Sequence, residues 1–155
     1  MSKRLELWSF GGGVQSTAIA VLIEQGKLPR PDGILWADTG DESEEIYAHI
    51  AAWMPRLEAM APVYVLKKEG KYPRLGDMVI KKALTSKGSN TLPYFLADPK
   101  TGAPSLTRRG CTFNYKTEPL NRRAAKLVKE AGADSFRWWL GISRDEMQRM
   151  KSDQW

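Results

Sequence analysis

Four clusters in this 155-residue chain carry groups suited to holding and moving negative charge. The first is Ser9-Phe10-Gly11-Gly12-Gly13-Val14-Gln15-Ser16. Glycine permits positive φ and lets a bound group approach the backbone without meeting a Cβ. The amides that open a following helix lack intrahelical partners and sit at the positive end of its dipole. An anion is the guest that such a turn suits, with Ser9, Gly11, Gly12, Gly13 and Gln15 around it and the Ser16 hydroxyl as a further donor. The second cluster is Asp38-Thr39-Gly40, in which Asp38 can accept from a ribose hydroxyl, hold Mg²⁺, or simply begin a polar turn. The third spans Arg108, Arg109, Cys111 and Lys116, where guanidinium offers a fork and ammonium a point charge to sulfate or phosphate oxygens. Cys111 is the one thiol. To attack a substrate it would have to be an accessible, activated thiolate, and a half-buried structural cysteine is an equal reading. The fourth is Gly141-Ile142-Ser143-Arg144 with Arg149 beyond it, a source of outer anion contacts.

These groups need elements to place them. Leu5 to Phe10 has the length and apolar content of a buried strand, and Val14, Ala18, Val21 and Leu22 recur at helical spacing, so the glycines fall at a strand-to-helix junction. The helix is expected to end near Gln25-Gly26. Gly33 to Ala37 predicts a second strand, which puts Asp38 at a strand carboxyl end. Asp41 begins an Asp-x-x-Glu cap for a helix whose apolar face is Ile46, Ile50, Trp53 and Leu57. The single histidine, His49, is expected to pack beside that face. Pro62 to Leu66 is a third strand, and Leu75 to Leu84 a helix within the basic segment 67–87. Residues 85–110 are irregular, with Tyr94 to Leu96 and Pro104 to Leu106 able to form a hairpin and the whole able to act as a lid. Thr117 is expected to cap a helix with Pro119 in its first turn and Leu120, Ala124, Leu127, Val128 and Ala131 on its buried face. Phe136 to Ile142 is the fourth strand. Strands alternating with helices predict a parallel sheet whose ligand lies beyond the carboxyl ends of the strands.

Composition narrows the class. With 42% hydrophobic and 27% charged residues the chain reads as one soluble globular domain. No apolar run approaches a membrane span and the start does not resemble a signal peptide, so a cytoplasmic protein is expected. One cysteine excludes an internal disulfide, and with one histidine it leaves too few soft ligands for a zinc or iron-sulfur site. The net charge of +6 suits an anionic ligand, either nucleotide or nucleic acid. The glycine turn is neither the Walker pattern, since no Gly-Lys-Ser/Thr follows, nor the dinucleotide fingerprint.

It resembles instead the PP-loop of the adenine-nucleotide alpha hydrolases, Ser-Gly-Gly-x-Asp-Ser. Gly12, Gly13 and Ser16 match, Gly11 stands for the serine, and Gln15 for the aspartate. A neutral amide is a poorer Mg²⁺ partner than a carboxylate. Residues 111–120 are similar to the Cys-Cys-x-x-Arg-Lys-x-Glu-Pro-Leu signature of phosphoadenosine phosphosulfate (PAPS) reductases. Cys111, Lys116, Glu118, Pro119 and Leu120 match, with Thr112 in place of the second cysteine and Tyr115 in place of arginine. Gly141 to Glu146 is similar to the Gly-Ile-Arg-Arg-Asp-Glu stretch of that family.

The three blocks, in order, imply an α/β, Rossmann-like domain of the HUP type. A parallel sheet would be sandwiched by helices in a single unit over 1–155, with an irregular insert around 85–110. They also imply that longer relatives carry a carboxyl-terminal part missing here, whether by nature or because the chain is a fragment. The activity implied is cleavage of ATP between its α and β phosphates with adenylation of a substrate, or chemistry on PAPS. Lys116, Arg109 and Cys111 would be the catalytic residues, the two cations neutralising charge at the transferring group. Ser9, Gly11, Gly12, Gly13, Gln15, Ser16, Asp38, Thr39, Gly40, Arg108, Gly141, Arg144 and Arg149 would bind the nucleotide, with Mg²⁺ as companion and no iron-sulfur cluster. A different reading is a non-catalytic nucleotide- or nucleic-acid-binding module that regulates a partner protein, its basic segment 67–87 meeting nucleic acid. A second copy of the chain could cover an open sheet edge.

Overall fold

The computed structural model describes residues 2–83, 95–97, 100–106 and 110–144. Strand β1 (Arg4–Ser9) leads into helix α1 (Val14–Glu24), followed by β2 (Gly33–Asp38), α2 (Glu44–Glu58), β3 (Val63–Lys67) and α3 (Leu75–Ala83). A short hairpin of β4 (Phe95–Ala97) and β5 (Pro104–Leu106) comes next, then α4 (Gly110–Thr112), α5 (Glu118–Glu130) and β6 (Ser135–Leu140). The main sheet is parallel, in the order β3-β2-β1-β6, and helices flank it in a Rossmann-like α/β arrangement. The expected hairpin forms, with Phe95 opposite Leu106 and Ala97 opposite Pro104; Tyr94 lies outside the described residues.

The chain divides into two compact units. One comprises Met1–Trp36, Ser43–Val65 and Arg123–Trp155; the other comprises Ala37–Glu42 and Leu66–Arg122. The core of the first follows from strand alternation. Trp8 of β1 with Phe10 just beyond its end, and Ile34 and Trp36 of β2, pack with Ala20 and Ile23 of α1 and Ile50 and Leu57 of α2. Each large side chain so buried contributes about 1.5–3 kcal/mol. The face expected for α2 is thus the one that is buried.

The face of α1 differs from expectation. Ser16, Ala20 and Ile23 are its buried positions, whereas Val14 is 82% exposed. This helix is apolar on nearly every side, so its periodicity did not single out the stripe that packs. Two caps also differ. Ser43, not Asp41, caps α2 by accepting from the Ile46 amide at 3.4 Å. Thr117 caps nothing, because Phe113–Thr117 is a wide π-helical turn. Pro119 explains that width: it has no N–H for the carbonyl four residues back, and its ring would press on that carbonyl in a tighter turn.

Candidate functional site

In the first unit the buried end of β1 delivers the glycine turn. Phe10 is 1% exposed and its amide donates to the Leu35 carbonyl at 2.9 Å, which locks the chain to β2 just before the glycines. The three glycines then differ in kind. Gly12 has φ +70°, and a Cβ there would stand 3.1 Å from Ile50 Cδ1, so the fold itself demands glycine. At Gly11 and Gly13 a Cβ would meet nothing closer than 3.9 Å, and neither has positive φ. Packing and backbone conformation leave room for a side chain at both positions, yet both are bare.

Helix α1 starts at once. Gly13 is its N-cap and supplies no side-chain acceptor, and the first intrahelical bond runs from the Thr17 amide to the Gly13 carbonyl at 2.9 Å. The amides of Val14, Gln15 and Ser16 precede that bond and have no carbonyl a turn earlier to accept them. The same Gly13 carbonyl also accepts the hydroxyls of Ser16 and Thr17, each at 2.9 Å. Ser16, 5% exposed, directs its proton inward to this carbonyl.

A pocket of about 320 Å³ opens over the turn, with Ser9, the exposed glycines, Gln15 and Ser16 on one side and Leu140, Gly141 and Ile142 on the other. Its position follows from topology. From β1 the chain goes to β2 on one side, while β6 pairs in parallel with β1 on the other, Ser9 standing opposite Leu140. The carboxyl ends of β1 and β6 therefore flank the point at which strand order reverses, where open parallel sheets hold their ligands. Gly141 packs directly on α1, because a Cβ on it would fall 2.6 Å from the Ser16 nitrogen. No family model matches the chain, and no curated protein is significantly similar to it.

The second unit holds the aspartate turn. Asp38, 6% exposed, accepts the Gly40 amide at 2.8 Å and pairs with Lys67 at 3.3 Å. The buried Thr39 donates its hydroxyl to Glu42 Oε1 at 3.1 Å, and Lys116 reaches the same oxygen at 2.9 Å. Gly40 has φ +77°, and a Cβ on it would stand 2.8 Å from Arg74 Cγ. Asp41 accepts the Gly76 amide at 2.7 Å and pairs with Arg74 at 2.8 Å, so it serves the start of α3. Those contacts, the Gly76 amide foremost and Arg74 after it, hold the Asp41 carboxyl below the usual carboxylate range.

Tyr115, which stands where the resemblance has arginine, is 1% exposed, and its hydroxyl shares its one proton between the carbonyls of Tyr72 at 2.9 Å and Arg74 at 3.3 Å. It fastens the segment before α3 and offers no charge to a ligand. Burial, and then the charges of Asp41 and Asp77, push its phenol above the usual tyrosine value.

Cys111 is free and half-buried in α4. Arg144 is exposed. Arg108, Arg109 and Arg149 lie outside the described residues, as do most of the insert and Lys87. In the basic segment, Lys67 and Arg74 are ion-paired, Lys68 lies 4.9 Å from the Tyr115 ring centre, and Lys71 5.7 Å from that of Tyr72. Much of this charge therefore serves the unit itself. Among the described residues no group of three His, Cys, Asp or Glu side chains could hold a metal ion, and no helix is long and apolar enough to cross a membrane.

Thr17 and Glu42 carried no site expectation, and Lys67 was expected only as part of the basic segment, yet the structure brings all three to the candidate groups. Thr17 carried a faint signal as a hydroxyl directly after Ser16. Its contact with His49, 32 residues away, carried none.

Proposed function

We propose that this chain binds an adenine nucleotide with its phosphates on the glycine turn, as a PP-loop protein of the PAPS reductase-like kind within the HUP-type α/β proteins. One observation carries the reading: Gly11 and Gly13 are glycine where neither packing nor conformation requires it, and both face the pocket at the sheet's switch point. Bare backbone there serves a guest that must come close to the helix start, and the opening amides of α1, which have no intrahelical acceptor, suit an anion together with its dipole. The resemblance adds the rest. Asp38, Thr39 and Gly40 are assigned to ribose or metal, Lys116 with Arg108 and Arg109 to the transferring group, Cys111 to any thiol step, and Arg144 and Arg149 to outer phosphate contacts. The substrate is ATP, split between its α and β phosphates with Mg²⁺, or PAPS.

A second reading, a binding module without turnover, is favoured by the exposed Gln15 amide where the family has a carboxylate. Thermal-shift titration with ATP, AMP, adenosine 3',5'-bisphosphate and pyrophosphate, with and without Mg²⁺, tests both. A Gly11→Val, Gly13→Val variant fills the pocket without backbone strain and should keep its melting temperature while losing any nucleotide shift. Release of AMP on incubation with ATP and Mg²⁺, or of adenosine bisphosphate on incubation with PAPS and a thiol donor, marks an enzyme, and stabilisation without product marks a module. No shift with any of these ligands would sink the nucleotide reading.

A further inference from the structure

His49 Nε2 lies 2.9 Å from Thr17 Oγ1, and that oxygen lies 2.9 Å from the Gly13 carbonyl. A hydroxyl has one proton to give. A carbonyl oxygen can only accept, so a hydrogen bond to Gly13 uses the Thr17 proton, and the contact with His49 must then be donated by the imidazole from Nε2–H. We propose that His49 is a positioning residue for the glycine turn, acting through Thr17 to fix the orientation of one peptide plane.

This role rests on the phosphate-binding reading of the turn and follows from peptide geometry. The bond between Gly13 and Val14 is planar and trans, so its C=O and N–H point in opposite directions. The Gly13 carbonyl is held from the helix side by the Thr17 amide and by the hydroxyls of Thr17 and Ser16. Holding it there aims the Val14 N–H away from the helix, out of its amino end. Two of these three donors ride on α1 alone. The Thr17 hydroxyl is the one whose rotation is set from another element, because the His49 donor on α2 leaves it a single direction for its proton. His49 is itself steadied by Trp53, whose ring centre lies 6.1 Å from its own on the next turn of α2. The consequence is a donor aimed before any anion arrives, which removes an ordering cost from binding.

Two measurements test this. In the free wild-type protein, ¹⁵N NMR of the imidazole should find the neutral ring protonated on Nε2. In His49→Leu the Val14 amide resonance should shift, and in His49→Gln, whose amide can still donate to Thr17, it should stay near its wild-type position. Calorimetry with inorganic pyrophosphate should then show His49→Leu and Thr17→Val binding about tenfold more weakly than wild type, the worth of one well-aimed hydrogen bond, and His49→Gln within about twofold.

A ring protonated on Nδ1, or an affinity and a Val14 resonance unchanged in His49→Leu, would overturn the proposal. So would equal losses in the leucine and glutamine variants, which would mark a packing role only. Should His49→Leu fail to fold, Thr17→Val carries the same comparison. If the wild type binds neither pyrophosphate nor nucleotide, the phosphate-binding reading fails by itself, and the positioning claim is still decided by the tautomer and the Val14 resonance of the free protein.

Discussion

Gly141 and Ser16 meet backbone to backbone: a Cβ on Gly141 would stand 2.6 Å from the Ser16 nitrogen and 2.8 Å from the Gln15 carbonyl carbon. Neither partner in that contact is the far end of a flexible side chain that can swing aside. The glycine at 141 is thus accounted for by the approach of β6 to α1, and the same approach closes one wall of the pocket.

Gly141→Ala is expected to destabilise the protein by about 1–3 kcal/mol, the usual range for overfilling a close contact. Urea unfolding followed by circular dichroism measures it. An unchanged midpoint would mean that the end of β6 yields freely.

Asp41 makes stability depend on acid. Its folded pKa is lowered, so its contribution is present above the unfolded value, near 4, and is lost as pH falls through the folded value. Asp41→Asn keeps the shape and removes the charge. It should cost about 1 kcal/mol at neutral pH, as loss of a helix cap does, and flatten the fall in stability on acidification. Denaturant midpoints of the two proteins at neutral and acid pH make the comparison.

Tyr115 acts at the other end of the scale. Its folded pKa is raised, so its contribution is complete below the unfolded value, near 10, and is lost as pH rises through the folded one. Tyr115→Phe removes the donor to the carbonyls of Tyr72 and Arg74 and should cost about 1 kcal/mol at pH 7. Above about pH 10 the gap between variant and wild type should narrow. A gap constant with pH, followed by thermal melts in alkaline buffers, would contradict this account.

What the sequence made legible was local. The apolar run before Gly11, the bare turn and the helix after it follow from residue types within a dozen positions, and so does the face of α2 from Ile46 to Leu57. Some of the misses share a cause: the deciding partner lies far along the chain. Asp41 has the composition of a cap for the helix just after it, but its acceptor is used by Gly76, 35 residues on. Thr117 looks like a helix start only until the turn that Pro119 widens is seen to continue from α4. The stripe that α1 buries is decided by which strands it meets, because its own residues offer several. Gly141 looked like a ligand contact, and nothing near it in sequence announces Ser16 as the neighbour that needs the space.

The pairing of β1 with β6 has a consequence in time. Partners in that ladder are separated by the same 131 residues that separate Lys3 from Asp134, which are themselves hydrogen-bonded. The glycine turn is made early in synthesis, and its facing wall is made about 130 residues later. At about 5–20 residues per second the turn waits on the order of ten seconds for the strand that completes it. During that interval the edge of β1 later taken by β6 is unpaired, and a nascent chain presents the glycine turn with only one of its two walls.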